Sequence, residues 1–149
     1  RDPFKLFLRT WQRAENWARV VMPADQLPAT AEALPYLRAA SDLEQTGKLD
    51  SAKDAYQTAL IRWPEEPAAR LGLGNVAWQQ DDRSIAVAHF SELTRQFPQL
   101  DAGWNNLVTG LNEMGCKNAA QVAQRCADQR DAANADNGGN AACPVPVCP

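Results

Sequence analysis

The chain has 149 residues, of which 45% are hydrophobic and 22% are charged, and its net charge is −3. That balance is typical of one globular domain, and the negative charge argues against a nucleic-acid partner, which needs a clustered excess of Lys and Arg. No apolar run is long enough to span a bilayer. The chain opens with Arg1 and not with Met, so we expect a processed product or an excised piece.

The first thirty residues are predicted to form a separate N-terminal segment, 1–30. Apolar residues at helical spacing between Phe4 and Ala14 predict a short helix. The run from Trp17 to Met22 predicts a strand that ends before Pro23, and residues 24–30 predict a linker. A lone strand leaves its backbone groups unpaired. Either the run is no strand, or it pairs with another chain through Trp17, Arg19, Val20, Val21 and Met22.

Three short stretches of this segment carry a resemblance to a known family. They are Phe7 to Trp11, Trp17 to Pro23, and Leu27 to Thr30. Together they resemble the end of a bacterial papain-like C39 (double-glycine-type) peptidase domain, which in some secreted or envelope proteins precedes a tetratricopeptide tail. The catalytic Cys and His of that family lie upstream of the similar stretch. The resemblance therefore implies no peptidase activity for these residues.

The central part of the chain repeats with a period of 34 residues. Pro64 and Pro98 are 34 residues apart, and Ala52, Ala86 and Ala120 recur at the same interval. A fixed period of this size is typical of helical repeat architectures. We therefore predict three repeats within residues 31–134, at 33–66, 67–100 and 101–134, and an irregular Pro/Gly/Cys tail at 135–149.

Each repeat is predicted to fold as two helices. In the first repeat, apolar residues at helical spacing precede a turn at Gly47, namely Leu37, Ala40 and Leu43. A second apolar face follows and ends before Pro64; it consists of Ala52, Tyr56, Ala59 and Leu60. One such hairpin cannot bury its apolar face alone, whereas stacked hairpins can. The sequence therefore predicts an all-α solenoid of helical hairpins.

Small, aromatic and proline residues occupy fixed positions within these repeats. Repeat two has Leu73-Gly74, Trp78, Ala86, Phe90 and Pro98, and repeat three has Trp104, Leu107, Leu111, Gly115, Ala120 and Ala127. This pattern resembles the tetratricopeptide repeat family, which implies a helical-hairpin fold that holds other polypeptides. Repeat three lacks the second-helix aromatic residue and the closing proline of the family pattern. That departure implies a terminal, capping unit.

By the same resemblance, the first helix of each repeat lines a concave groove. The candidate groove residues are Leu37, Ser41 and Glu44 in repeat one, Leu71, Asn75 and Trp78 in repeat two, and Asn105, Thr109 and Asn112 in repeat three. Asn amides both donate to and accept from a peptide backbone, while Trp78 either anchors a ligand or packs between helices. The family's carboxylate clamp needs Lys where Leu37, Leu71 and Asn105 stand, so a C-terminal carboxylate ligand is not expected.

Four cysteines, Cys116, Cys126, Cys143 and Cys148, are candidates for disulfides. Their even number in a small chain suggests an oxidising compartment, so we expect a periplasmic or extracellular location. Cys116 and Cys126 lie mostly along one helix, about 15 Å apart, which is too far for a bond between them. Each can bond a tail cysteine, or Cys143 and Cys148 can close a small ring. The spacings do not suit a four-cysteine zinc site.

No catalytic, metal or cofactor site is predicted. The single histidine, His89, lies beside Phe90 on a predicted helix, where a packing or surface role is expected. We expect a scaffold, not an enzyme, that binds a protein or peptide through the groove. The alternative is an extracellular structural subunit that joins copies of itself into a filament through residues 17–22 and the cysteine tail.

Overall fold

The described part of the chain folds as six α-helices joined by short turns. The structure, a computed structural model, describes residues 23–135 and 143–148. After one turn of 3-10 helix at Ala24–Gln26, the helices are α1 Ala33–Gln45, α2 Leu49–Arg62, α3 Pro67–Gln79, α4 Arg83–Gln96, α5 Asp101–Glu113 and α6 Lys117–Ala135. These two ranges contain no strand, and the prediction of an all-α fold of helical hairpins is confirmed.

The helices begin at a fixed interval along the chain. Helices α1, α3 and α5 start 34 residues apart, and so do α2, α4 and α6. Pro67 is the first residue of α3. Proline is tolerated there because an N–H in the first turn of a helix has no hydrogen-bond acceptor within the helix. The 34-residue period in the sequence is therefore a period of helical hairpins in the structure.

The turn inside each hairpin contains one residue with a positive φ. Gly47, Asp81 and Gly115 have φ values of 79°, 64° and 80°. In all three turns the N–H of the next residue donates to the carbonyl five residues earlier, over 2.9 Å. This arrangement ends a helix by satisfying one of its last carbonyl groups. Asp is among the few residues other than Gly that adopt the left-handed conformation at modest cost.

The described residues divide into two compact units, one up to Gly72 and one from Leu73 onward. In the first unit, α1 and α2 pack as an antiparallel hairpin. Its buried side chains are Tyr36, Leu37, Ala40, Leu43, Ala52, Ala55, Tyr56 and Ala59. The ring of Tyr36 also lies 5.3 Å from the ring of Trp63, measured between centroids. Large aromatic side chains thus contribute to the core of this hairpin.

The segment before α1 is more than the predicted linker. Leu27 is only 6% exposed, and the 3-10 turn at Ala24–Gln26 contacts α2. The Arg62 guanidinium donates a hydrogen bond to the backbone carbonyl of Pro28 over 3.2 Å. The linker prediction for residues 24–30 was therefore wrong for this part, because one apolar side chain and one carbonyl attach it to the first hairpin. The helix and strand predicted between residues 4 and 22 lie outside the described residues.

In the second unit, α5 packs against both α4 and α6. Its most completely buried large side chains are Val76, Leu93, Leu107 and Leu111. The ring of Phe90 lies directly on Gly74 of α3, where any Cβ would overlap it. The absence of a side chain at Gly74 therefore lets an aromatic ring pack against the backbone of the neighbouring helix.

Candidate protein-binding surface

The candidate groove residues of the first unit are mostly engaged within that unit. Leu37 is 7% exposed, so it belongs to the hairpin core and offers little area to a ligand. Ser41 and Leu71 are half-buried, and the Ser41 hydroxyl accepts a hydrogen bond from the Gln45 amide over 3.4 Å. Half-buried Glu44 accepts a hydrogen bond from the Tyr56 phenol over 2.9 Å. Among these four side chains, Leu71 alone combines partial exposure with apolar character.

The contact between Tyr56 and Glu44 also affects a protonation equilibrium. Tyr56 is 4% exposed. Burial above all, and then the negative charge of Glu44, raise the pKa of the Tyr56 phenol above its ordinary value. Burial likewise raises the pKa of Tyr36. Both phenols therefore stay protonated to a higher pH than an exposed tyrosine. For Tyr56 this keeps the O–H that donates to Glu44.

In the second unit, α3 and α5 lie side by side. The amide of Asn106 donates to the amide oxygen of Asn75 over 3.3 Å. One helical turn further along, Gly110 faces the Trp78 ring, since a Cβ there would lie 3.4 Å from that ring. These two contacts place the half-buried Trp78 next to the exposed side of α5.

Trp78 is held in place from a second side. The Arg83 guanidinium lies over the indole, 5.0 Å from its ring centroid, a geometry in which the cation attracts the π face. Arg83 also pairs with Asp81 in the adjoining turn over 3.3 Å. Trp78 is thus half-buried and in contact with its neighbours. The sequence predicted either a ligand anchor or a packing residue, and Trp78 has features of both.

A row of polar side chains extends along α5 beside this tryptophan. Asn105, Thr109 and Asn112 recur at helical spacing and are all exposed. Residues 102–112 of α5 contain no charged side chain. We call Asn75, Trp78, Asn105, Thr109 and Asn112 the α3–α5 surface. Its chemistry consists of amide and hydroxyl groups next to one aromatic ring.

Two residues of this region escaped the sequence analysis. Asn106 joins α3 to α5, and Arg83 covers the Trp78 ring. The period alone did not single out Asn106, because the residues 34 and 68 positions earlier are Gly72 and Arg38. Arg83 is the first residue of α4, and its place over Trp78 depends on how α3 and α4 fold back on each other.

Helix α5 is fixed at its start by α6. Arg130 of α6 donates to the carbonyl of Pro98 over 3.3 Å and to the carboxylate of Asp101 over 2.7 Å. The indole N–H of Trp104 donates to the same Pro98 carbonyl over 2.9 Å. Because Pro98 lies three residues before Asp101, the first residue of α5, these bonds attach the start of α5 to α6.

All four cysteines are paired within the chain. Cys116 bonds Cys148, and Cys126 bonds Cys143, with Cα–Cα distances of 5.8 Å and 5.7 Å. The prediction that these cysteines form disulfides is confirmed, and of the pairings left open the structure has one that joins each repeat-three cysteine to one tail cysteine. No free cysteine is left. The tail therefore contributes no thiol for a bond between copies.

Other predicted features gain no support as sites. His89 lies half-buried on α4. In the described ranges no group of three or more His, Cys, Asp or Glu is arranged to hold a metal ion, and no helix there has the length and apolar content needed to cross a bilayer. The predicted assembly strand at Trp17, Arg19, Val20, Val21 and Met22 lies outside the residues that the structure describes.

Comparison with known proteins agrees with the helical-hairpin interpretation. Residues 37–101 match a family model described as Tetratricopeptide repeat. Repeats of this kind in general mediate protein–protein interaction and are not catalytic. The matched span runs from α1 to the first residue of α5, so the third hairpin rests on the helix spacing. No curated protein matches the chain.

Proposed function

We propose that this chain is a non-catalytic module that binds an extended segment of another polypeptide on the α3–α5 surface. The observation that carries the proposal is the Asn75–Asn106 hydrogen bond beside half-buried Trp78, which joins the two helices next to an exposed polar row. An aromatic ring can anchor a ligand side chain. The neighbouring amides can donate to and accept from its main chain.

The charge content of the α3–α5 surface favours recognition through the ligand's main chain. Between Asp101 and Glu113 every side chain of α5 is uncharged, and α3 has no charged side chain after Arg70. Arg83 beside Trp78 already pairs with Asp81. Ion pairs with the ligand should therefore contribute little, and binding should be nearly independent of salt between about 50 mM and about 500 mM NaCl. Blocking the termini of the ligand should also leave its affinity unchanged.

A selection experiment tests the proposal. Peptides are selected from a random-peptide display library on the immobilised chain, and their Kd values are measured by calorimetry. The variant Asn105→Ala/Thr109→Ala/Asn112→Ala removes the exposed row and should raise the Kd of the selected peptides by about tenfold or more. Because the three side chains are exposed, the fold should persist, which circular dichroism checks.

A matched control separates this surface from the rest of the second unit. Gln121 and Gln129 are exposed polar residues of α6, and Gln121→Ala/Gln129→Ala should leave the Kd within about twofold of the wild-type value. The proposal would be contradicted if no peptide were selected on the chain. It would also be contradicted if the triple variant bound the selected peptides with the same Kd as Gln121→Ala/Gln129→Ala.

The proposal includes a periplasmic or extracellular location. Two disulfides in one small chain are typical of proteins from oxidising compartments. Self-assembly into filaments is not favoured by the cysteines, since both pairs lie within one chain. That alternative now depends on residues 17–22, which lie outside the described ranges.

A further inference from the structure

Residues 143–148 form a short strap that two disulfides attach to the third hairpin. Its ends are Cys143, bonded to Cys126 of α6, and Cys148, bonded to Cys116 just before α6. Pro144 and Pro146 fix their own φ angles and bias the residues before them towards extended conformations. The described strap contains no helix or strand, as expected for such a segment.

The length of the strap matches the distance between its two attachment points. Cys116 and Cys126 are ten residues apart, which along a helix corresponds to about 15 Å. Cys143 and Cys148 are five residues apart, which in an extended proline-rich chain also corresponds to about 15 Å. The strap therefore runs antiparallel to α6 in a nearly fully extended form, with both ends covalently bonded.

Helix α6 has a weaker core of its own than the other second helices. Tyr56 of α2 and Phe90 of α4 are buried, at 4% and 3% exposure, but the corresponding residue of α6 is the exposed Gln124. Between Lys117 and Arg130, where burial is described, the buried residues of α6 are small: Ala119, Ala120, Ala123, Cys126 and Ala127. Alanines bury little apolar area, so α6 depends more on covalent attachment than α2 or α4.

Burial on α6 agrees with coverage by the strap. Ala119 is 5% exposed, whereas Ile85, the residue 34 positions earlier on α4, is 53% exposed despite being larger and more apolar. Ala123 is 0% exposed, but so is Ala55, the corresponding residue of α2, so the difference between the helices is confined to position 119. Position 119 is thus covered on the helix that carries the strap, whereas the equivalent position of α4 is exposed.

We propose that the strap is a redox-sensitive latch that controls the order of α6 and, through it, the position of α5. In each opening step a thiolate of a dithiol reductant attacks one cysteine sulfur, and its second thiol then releases that cysteine. Two electrons and two protons pass to the cysteine pair, so the products are two cysteine thiols and the oxidised reductant. Opening both bonds frees residues 143–148 from the third hairpin.

The latch acts on binding through Arg130 of α6. This residue bonds the Pro98 carbonyl and Asp101 at the start of α5. When α6 loses order these bonds are lost, and the exposed row of α5 loses its fixed position. This last consequence rests on the proposed function, whereas the loss of order in α6 does not.

The two bonds open in a defined order. Both cysteines of the Cys116–Cys148 bond are half-buried, whereas in the other bond only Cys143 is half-buried and Cys126 is 3% exposed. Because exchange requires access to a sulfur atom, the Cys116–Cys148 bond should be reduced first. Partial reduction with dithiothreitol, followed by alkylation and peptide mass spectrometry, should find labels on Cys116 and Cys148 before Cys126 and Cys143.

Hydrogen exchange of the full chain, with and without dithiothreitol, tests the latch. The expected result is an increase of about tenfold or more in the exchange rates of α6 amides, with the rates of α1 and α2 within about twofold of their oxidised values. The first unit is the internal control, because it contains no cysteine. A variant with all four cysteines replaced by Ser controls for other effects of the reductant and should not respond to it.

Each alternative result would overturn the latch. Unchanged α6 exchange after complete reduction, verified by alkylation of four thiols, would show that the strap does not hold α6. Equal acceleration in all helices would show that the disulfides hold the whole chain and not the third hairpin. The variants Cys116→Ser/Cys148→Ser and Cys126→Ser/Cys143→Ser should each give an intermediate effect confined to α6. None of these readouts uses a ligand, so a failed latch and a failed binding proposal are distinguishable.

Discussion

Gly47 and Gly115 turn the first and third hairpins with φ values of 79° and 80°, yet the second helices of these hairpins are held by different means. Helix α2 buries Tyr56, whose phenol bonds Glu44 of α1. Helix α6 exposes Gln124 at the same repeat position and is bonded by two disulfides to the strap. The repeat geometry is therefore compatible with two kinds of stabilisation, one by side-chain packing and one by covalent attachment.

The largest expected effect is the loss of packing in the first hairpin. Tyr56→Ala removes a ring that is 4% exposed and should lower the free energy of unfolding by about 4 kcal/mol, from lost burial and the cavity left behind. Urea denaturation measures this change. Gln57→Ala, at the exposed neighbouring position, should change it by less than about 0.5 kcal/mol. Equal effects of the two substitutions would end the distinction between the hairpins.

Removal of one disulfide is the corresponding change in the third hairpin. Cys126 and Cys143 are separated by 17 residues, and a loop of that size is stabilised by about 3 kcal/mol when it is closed by a disulfide. Cys126→Ala/Cys143→Ala should therefore lower the free energy of unfolding of the second unit by about that amount. Residue-resolved hydrogen exchange measures it under non-reducing conditions. A comparable loss in α1 and α2 would contradict the assignment of the effect to one hairpin.

A smaller effect is expected from removal of a single hydroxyl group. Tyr56→Phe deletes the 2.9 Å hydrogen bond to Glu44 and should cost about 1 to 2 kcal/mol at neutral pH. The denaturation midpoint of Tyr56→Phe, compared with that of the wild-type chain, measures this cost. A cost near zero would remove Glu44 from the account of the first hairpin.

The same substitution has a signature in pH. Because burial raises the folded-state pKa of Tyr56, its contribution is fully present below the unfolded pKa of about 10 and is lost as the pH rises towards the folded pKa. Above about pH 10 the unfolded state loses its proton first, which favours unfolding. The free energy of unfolding should therefore fall less steeply above pH 10 in Tyr56→Phe than in the wild-type chain. Identical slopes would contradict this.

The smallest effect is expected at position 124 of the third hairpin. The Gln124 amide donates to Asp128 over 3.0 Å on an exposed part of α6, and exposed pairs of this kind contribute little. Gln124→Ala should change the free energy of unfolding by less than about 0.5 kcal/mol. A cost as large as that of Tyr56→Ala would show that α6 relies on this position after all.

The period of the helical hairpins was the part of the structure most open to prediction from sequence. Pro64, Pro98 and the recurring alanines mark a 34-residue period, and the helices start at that period. Asp81 takes the left-handed position that Gly47 and Gly115 take in the other hairpins. The sequence did not single out Asp81, because what repeats at this position is the positive φ and not the residue type.

The candidate surface was less predictable than the fold. Periodicity selects one face of α1 and α5 alike, but Leu37 is buried while the corresponding Asn105 is exposed. Helical spacing gives the direction of a side chain and not what covers it. The disulfide pairing was also open, since the helical distance between Cys116 and Cys126 excludes only their bond to each other. The position of the tail was needed to choose between the remaining pairings.

Hydrogen exchange of the oxidised chain with and without a peptide selected on it is the most direct test of the central claim. If the α3–α5 surface binds the ligand, protection should increase in residues 73–79 and 101–113 and stay unchanged in α1, α2 and α6. Protection centred on α6, or on the first hairpin alone, would contradict the account and move the binding site elsewhere on the chain.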